Sequence, residues 1–183
     1  MMILGVDVST SITGFAVIDS DGKLIETTVC DLRKYKGFFN KTLQFREFTL
    51  DLADKYCATF NKVGVDHIYI EQPFTFFSSG GSSAKTMATL QRFNGVASWM
   101  LYEIFEIEPQ YVGANEARKK VGIKVPRGQK AKQVVIEHLL ANEKDFKIEY
   151  THHGNPKPQY YDMADALIVA RAGRIIEKEK NSS

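Results

Sequence analysis

The feature that most constrains this chain is an acidic residue inside an apolar segment near its start. Residues 3–8 are almost all aliphatic or β-branched, yet they include Asp7. Such a run predicts a strand that is covered on both faces. A buried carboxylate is costly to ionise unless it is paired or binds a cation. Asp7 is therefore either a residue that caps or kinks the strand end, or a functional carboxylate.

The segments that follow predict two further strands of an antiparallel meander. Residues 14–18 predict a second strand joined to the first by a tight hairpin, and residues 23–29 predict a third after the turn signal at 19–22. Gly14 lacks a side chain, so it would let another part of the chain lie close over Asp7.

A fourth short strand is predicted to begin at His67 and to carry Glu71 shortly before Pro73 ends the ladder. Residues 110–112 predict a fifth strand. The expected fold class is α/β: a five-stranded mixed sheet with three antiparallel strands followed by two parallel ones, and helices on both faces.

Apolar residues at helical spacing predict long amphipathic helices over residues 38–60 and 84–105. In the first helix two apolar stripes lie side by side, one including Phe39 and Leu43 and the other including Phe45 and Leu52. Core packing explains the second stripe better than a partner surface does. In the second helix, Gly95 would let another element approach closely. Asn115 is predicted to cap a short basic helix, and further helices are predicted over residues 129–140 and from 159 to about 178.

The chain has 183 residues, 44% of them hydrophobic, which is enough for one domain, 1–183, with a full core. No segment is long and apolar enough for a membrane span, and no signal peptide precedes the first strand, so we expect no membrane partner and a cytoplasmic protein. Cys30 and Cys57 provide no disulfide framework. The four scattered histidines form no zinc pattern.

The last helix carries a second pair of acids, Asp162 and Asp165, which project from the same face because they are three residues apart. Acids at a helix start also favour the helix dipole, which is the purely structural explanation. However, an apolar run follows Asp165 and indicates that it points inward.

Four carboxylates, Asp7, Glu71, Asp162 and Asp165, would repel one another without a counter-charge. Oxygen ligands alone favour Mg²⁺ or Mn²⁺. Two such ions about 4 Å apart suit phosphodiester hydrolysis.

The segment from 116 to 133 has a local net charge of +6 and is a candidate phosphate-binding surface, although it could also be an ordinary solvated face. Its cations are Arg118, Lys119, Lys120, Lys124, Arg127, Lys130 and Lys132.

Three aromatic residues, Phe74, Phe76 and Phe77, precede a glycine- and serine-rich loop. These rings could stack on bases or pack against the next helix.

Four short motifs together resemble the RuvC-type Holliday junction resolvases of the ribonuclease H-like superfamily. They are Gly5-Val6-Asp7 with Thr13-Gly14, Ile70-Glu71-Gln72 with Phe74, Gly95-Val96-Ala97, and Asp162-Met163-Ala164-Asp165-Ala166-Leu167. Each motif alone is weak, but their order and separations cover nearly the whole chain. The aromatic loop, the glycine-serine tract and the long segment before the last helix look more like phage- or virus-encoded members, some of which cut branched DNA broadly.

The resemblance implies that Asp7, Glu71 and Asp165 are metal ligands and that Asp162 is a fourth ligand or activates the attacking water. It implies a homodimer that nicks symmetric strands of a four-way junction, leaving 5′-phosphate and 3′-hydroxyl ends. Phe74 matches a ring that stacks at the junction centre. Lys119 and Lys130, or their neighbours Lys120 and Lys132, look like the basic residues near the scissile phosphate.

Three other functions are consistent with parts of the sequence. The hydroxyl-rich turn after Asp7 also resembles the first phosphate loop of the sugar-kinase and actin superfamily, but 183 residues are too few for the two domains which that fold requires. A ribonuclease H-like nuclease acting on RNA or RNA–DNA hybrids is a closer alternative. The third is a non-catalytic branched-DNA binding module, which is disfavoured because unpaired carboxylates repel phosphates.

Overall fold

A computed structural model of the protein describes residues 1–57, 64–73 and 84–182. Within these ranges the chain forms five strands and five helices. In chain order they are β1 (Ile3–Asp7), β2 (Ile12–Ile18), β3 (Leu24–Asp31), α1 (Phe38–Tyr56), β4 (His67–Glu71), α2 (Ala84–Phe105), β5 (Gln110–Val112), α3 (Ala114–Lys120), α4 (Ala131–Asn142) and α5 (Gln159–Asn181).

The five strands form one mixed sheet in the order β3-β2-β1-β4-β5. The pairs β1–β2 and β2–β3 are antiparallel, whereas β1–β4 and β4–β5 are parallel. This arrangement confirms the predicted meander followed by two parallel strands. It also brings the ends of β1, β3, β4 and β5 to the same edge of the sheet, because β2 is the only one of the five strands described that runs the opposite way.

Two apolar layers cover the sheet, and the alternation of side chains along β1 decides which layer each residue joins. Leu4, Val6 and Val8 pack in the layer formed with α1 and α2. Ile3 packs in the opposite layer, with α3, α4 and α5. Gly5 and Asp7 share the face of Ile3, so the carboxyl group of Asp7 lies on the side of the sheet that α5 covers.

Helix α5 lies close against the sheet because glycines at the contact have no side chain between the helix and the strands. A Cβ atom on Gly5 would stand 2.3 Å from the carbonyl oxygen of Ala166, and one on Gly14 would stand 2.0 Å from that of Asp162. On the helix side, a Cβ on Gly173 would meet the ring of Tyr69 at 2.3 Å. Distances this short to backbone exclude any side chain at Gly5 and Gly14.

Several predicted boundaries and faces differ from the structure. α3 begins at Ala114 after Gly113, so Asn115 lies in the first turn and is not the N-cap; its Oδ1 accepts a hydrogen bond from Arg118 at 2.7 Å. On α1, the second apolar stripe faces the core, as predicted, with Phe45 and Leu52 buried. The first stripe is exposed only in its N-terminal part, where Phe39 keeps 78% of its surface and Leu43 keeps 59%, whereas Ala53 further along it is buried.

The predicted extension of α1 to residue 60 lies partly outside the described residues, and α1 as described ends at Tyr56. None of the helices in the described ranges is long and apolar enough to cross a membrane.

Candidate active site

Asp7 and Glu71 lie side by side because the strand register requires it. β1 and β4 are parallel neighbours in which Val6 pairs with Ile70, and each acid is the next residue on its strand. Neighbouring strands are about 4.8 Å apart, and residues in register on parallel strands point to the same face. Both carboxylates therefore emerge at the same edge of the sheet, on the side of α5.

Helix α5 brings the second pair of acids to the same point. Gly14 pairs with Asp7 across β1 and β2, and the carbonyl group of Asp162 lies directly over Gly14. This confirms the expectation that Gly14 permits a close approach over Asp7. Asp165 follows one turn later and is 7% exposed. The Asp162 side chain, at 18% exposed, is closer to solvent.

Lys132, the second residue of α4, supplies a cation to this group. Its Nζ lies 3.1 Å from Oδ2 of Asp165 and 3.3 Å from Oδ1 of Asp162. Although burial alone would lower the pKa of Lys132, the charges of Asp165, Asp7 and Asp162 together raise it. The ammonium is therefore held in its charged form by three of the four carboxylates.

One lysine does not neutralise the whole group, and burial together with the neighbouring carboxylates raises the pKa values of three of the acids. Burial, followed by the charges of Glu71 and Asp165, raises the pKa of Asp7 well above its ordinary value. Burial and the charge of Asp165 raise the pKa of Glu71 to about 7, although Lys132 and Arg118 oppose this shift. Burial also raises the pKa of Asp162, against the opposing charge of Lys132. The charges of Lys132 and Arg118 therefore only partly offset the effect of burial and of the neighbouring carboxylates on Asp7, Glu71 and Asp162.

The donor set of this site fits a hard divalent cation. All four side chains offer carboxylate oxygens, and neither thiol nor imidazole is among them, which suits Mg²⁺ or Mn²⁺. Within the described ranges, no three acidic, thiol or imidazole groups already surround a common point. In this arrangement the ammonium of Lys132 contacts two of the four carboxylates and supplies a counter-charge between them.

The structure separates the seven predicted basic residues into groups. Lys132 contacts the acids, and the charge of Arg118 acts on Glu71. Arg118, Lys119 and Lys124 together line a cavity of about 300 Å³. Lys120 pairs instead with Glu179 at 2.5 Å. Since Glu179 is fourteen residues beyond Asp165, Lys120 lies about 20 Å along α5 from the acids.

Lys130 lines a cleft of about 620 Å³ that opens beside Lys132. Gln129, Gln133, Asn155 and Tyr161 contribute to the same wall. Arg127 is exposed on the loop that leads to α4. The sequence predicts that Lys119 and Lys130, or their neighbours Lys120 and Lys132, lie near the scissile phosphate. In the structure Lys132 contacts the acids, Lys130 lies in the cleft beside it, and Lys120 is too far away to contact them. Phe74 lies outside the described residues.

Sequence reasoning missed one cation of the site. Arg33 follows β3 at the edge where the acids meet, and its charge, like that of Lys132, opposes the rise in the pKa of Asp162. Its guanidinium group also binds the Asp31 carboxylate with three hydrogen bonds, of 2.9, 3.2 and 2.6 Å. The available signal was the run of cations in residues 31–41, whose net charge is +3.

Comparison with solved structures identifies the fold. Thermus thermophilus RuvC in complex with Holliday junction substrate superposes with a TM-score of 0.69 over 98% of this chain and 96% of that one, at 13% identity. The chain has the RuvC fold. The yeast mitochondrial Holliday junction resolvase superposes with a TM-score of 0.57 at 14% identity. The match covers 98% of this chain and 80% of the yeast protein. The fowlpox virus resolvase in complex with substrate Holliday junction DNA superposes with a TM-score of 0.55 at 14% identity. The match covers 95% of this chain and 97% of the viral protein.

A curated relative supports the RuvC resemblance in sequence. The crossover junction endodeoxyribonuclease RuvC of Christiangramia forsetii is 34% identical over 99 residues, which cover 52% of this chain. The matched stretch spans only 45% of the relative's length. No protein-family model matches the chain. These comparisons confirm the resemblance to RuvC-type resolvases that the four motifs indicate.

Proposed function

We propose that this protein is a divalent-metal-dependent endodeoxyribonuclease that resolves Holliday junctions and other branched DNA. It would introduce paired hydrolytic nicks that leave 5′-phosphate and 3′-hydroxyl ends. The observation that carries the proposal is the convergence of four carboxylates, from two strand ends and one helix, at one edge of a RuvC-type fold. A site so rich in negative charge favours a cation that can in turn receive a phosphodiester.

Asp7, Glu71 and Asp165 would hold Mg²⁺, with two ions per site and Mn²⁺ able to substitute. When bound, the ions supply positive charge that activates water and stabilises the leaving oxygen. Asp162, the more exposed acid of α5, would complete the ligand set or accept the proton of the attacking water. The ammonium of Lys132 would move from the acids to the scissile phosphate and neutralise its charge as the strand is cut.

Cations on both sides of the cleft would hold the DNA backbone. Arg118 and Lys132 lie at the acids, while Lys119, Lys124, Arg127 and Lys130 extend this positive surface outward. Lys120 would attract the DNA only through its long-range electrostatic field, because its ammonium forms an ion pair with Glu179. Phe74 would stack at the centre of the junction, as the resemblance implies.

A homodimer would place two sites on the symmetric strands of a four-way junction. The exposed face of α2 offers a surface for a second copy: the rings of Trp99 and Tyr102 lie 5.8 Å apart at a tilt of 51° and remain 64% and 46% exposed. No described residue lies within 4 Å of a Cβ on Gly95, so this position is open to a partner helix. Arg92 precedes this face and Glu103 follows it, so antiparallel pairing would bring opposite charges together.

The Trp99→Glu substitution should convert the dimer to a monomer in sedimentation equilibrium, because it buries an unpaired charge at the centre of the interface. The Lys144→Glu substitution, on the exposed segment after α4, is the matched control. A variant that remains dimeric would place the interface elsewhere.

We also propose that the protein works in the cytoplasm of a bacterial cell or of a phage-infected host. Its two cysteines are both free and buried, as a reducing compartment favours.

Substrate choice tests the proposal most clearly. Wild-type protein would be incubated with a labelled synthetic four-way junction, a linear duplex of the same sequence and an RNA–DNA hybrid, each with Mg²⁺. We expect paired nicks on the junction, ligatable 5′-phosphate ends and at least about 100-fold slower cutting of the duplex. Preferential cutting of the hybrid would instead assign the protein to the ribonuclease branch. Tight junction binding without cleavage in any metal would indicate a binding module.

A further inference from the structure

A second positive surface lies near the acids on the other face of the sheet from Lys132, since Leu32 packs in the layer of α1 and α2, whereas α4 packs in the layer of α5. Residues 31–41, which we call the β3–α1 arm, lead from the end of β3 into the first turn of α1. They contain Arg33, Lys34, Lys36 and Lys41 against the single acid Asp31. The site described above uses only the charge of Arg33 from this arm, and the motifs that indicate the RuvC resemblance do not include it.

The arm is attached to the catalytic edge at both of its ends. The backbone N–H of Leu32, whose side chain is fully buried, donates to the carbonyl oxygen of Ser11 at 2.8 Å. Nζ of Lys41 donates to the carbonyl oxygen of Thr10. Both acceptors belong to the turn that follows Asp7, so the arm and the first catalytic acid are positioned by the same few backbone groups.

The arm is also ordered between these ends. Arg33 binds Asp31 in a two-pronged pair, and Nδ2 of Asn40 donates to the carbonyl oxygen of Lys36 at 2.9 Å. Lys34 lies over the ring of Tyr35 at 5.2 Å from its centroid. The side chains of Lys34 and Lys36 nonetheless face solvent. A preordered, exposed row of cations binds phosphates at a low entropic cost.

An aromatic ring completes the surface. Phe39 lies between Lys36 and Lys41 and is 78% exposed, and it touches Phe38 only edge-on at a centroid distance of 5.7 Å. Exposed rings flanked by cations are the usual means by which proteins hold unpaired nucleotides, because any base can stack on them while the cations take the backbone.

We propose that the β3–α1 arm binds a strand of the branched DNA, with its cations on the phosphates and Phe39 against an unstacked base. The inference rests on the proposed function, in that it takes DNA as the ligand of the neighbouring site. It places phosphate contacts on both sides of the acids, so that the scissile strand would cross between Lys132 and the arm. Base stacking is interrupted at a branch point and not in a continuous duplex, so Phe39 would contribute to the preference for branched DNA.

The test measures DNA affinity as a function of KCl concentration with a chelator present, so that no cutting occurs. The Lys34→Gln/Lys36→Gln double variant changes two exposed side chains and spares the anchors of the arm. We expect it to lower the slope of log K against log[KCl] by about 2 and to weaken binding at least tenfold, for junction and duplex alike. The Lys144→Gln/Lys147→Gln variant loses the same charge at the far end of α4 and should keep the wild-type slope.

The Phe39→Ala variant should weaken junction binding by about tenfold and leave both the salt slope and the affinity for duplex unchanged. A double variant whose slope equals that of the control would overturn the inference, as would a Phe39→Ala variant with wild-type junction affinity. Cleavage by the wild-type protein in Mg²⁺ is scored separately. Should the slopes change as expected while the wild type cuts nothing, the arm would stand as a DNA-binding surface and the nuclease proposal would fail.

Discussion

Lys132 places one ammonium group against two carboxylates, so its charge competes with any divalent ion for Asp162 and Asp165. Replacing it with methionine should therefore tighten Mg²⁺ binding by about fivefold, since a half-exposed pair of this kind is worth about 1 kcal/mol. The same substitution should slow strand cutting, because the scissile phosphate would lose its cation. Calorimetric titration with Mg²⁺ in the absence of DNA measures the first effect.

Lys130→Met is the matched control for this prediction. Lys130 lines the same cleft but is the residue just before α4, and the contacts to Asp162 and Asp165 are made by Lys132. Its removal should leave Mg²⁺ affinity unchanged. Equal Mg²⁺ affinity in Lys132→Met and wild type would show that the ammonium does not occupy the position of the metal.

At the level of elements, the site depends on how closely α5 approaches the sheet. The Gly14→Ala substitution would place a methyl group 2.0 Å from the carbonyl oxygen of Asp162, so α5 would have to move away. We expect a loss of about 1–3 kcal/mol in the free energy of unfolding, together with loss of cutting. Gly113→Ala is the control, because Gly113 has φ −68° and no described atom within 4 Å of its Cβ position. Urea denaturation of both variants decides the point, and a fully stable Gly14→Ala protein would contradict this account.

The sequence was sufficient to predict the sheet and the proximity of the four acids because both follow from short-range patterns. An acid in an apolar strand, a glycine opposite it and two acids three apart on a helix each have a local physical cause. Which cations reach the acids depends on where α3 and α4 pack, and that is a long-range property. Lys120 and Lys132 therefore looked equivalent in sequence, although one pairs with Glu179 and the other with Asp165.

The first apolar stripe of α1 illustrates a second limit. Phe39 and Leu43 have the spacing of core residues, yet they are exposed, because Phe45 and Leu52 on the neighbouring face fill the space above the sheet. Periodicity shows that a helix has an apolar face but does not show which of two such faces is inward. Arg33 was missed for a related reason, because its importance comes from the strand order that brings the end of β3 to the edge of the acids.

At the level of the whole molecule, a buried carboxylate at the far end of α5 stabilises the fold. Burial opposes the ionisation of Glu177, but hydrogen bonds from Lys180 at 2.8 Å and Tyr69 at 2.5 Å, together with the charge of His67, lower its pKa to about 2. Because the pKa is lower in the folded than in the unfolded chain, this stabilisation is complete above about pH 4.5 and is lost as the pH falls towards 2.

The Glu177→Gln variant should therefore be less stable than wild type by about 1–3 kcal/mol at pH 7, and the difference should shrink between pH 4.5 and 2. Glu179→Gln, on the exposed side of the same helix, should cost less than about 1 kcal/mol. Urea denaturation across this pH range provides the measurement. A difference between Glu177→Gln and wild type that does not change with pH would show that the carboxylate contributes through packing and not through its charge.

The account as a whole depends on the four acids binding the cations that cut DNA. The most direct test compares junction cutting in Mg²⁺ with junction binding in chelator, for wild type and for the single variants Asp7→Asn and Asp165→Asn. We predict that cutting falls at least about 1000-fold in each variant, and in wild type without metal, while junction affinity changes by less than about threefold. Cutting by wild type that persists in chelator, or by either variant at near wild-type rates, would contradict the account.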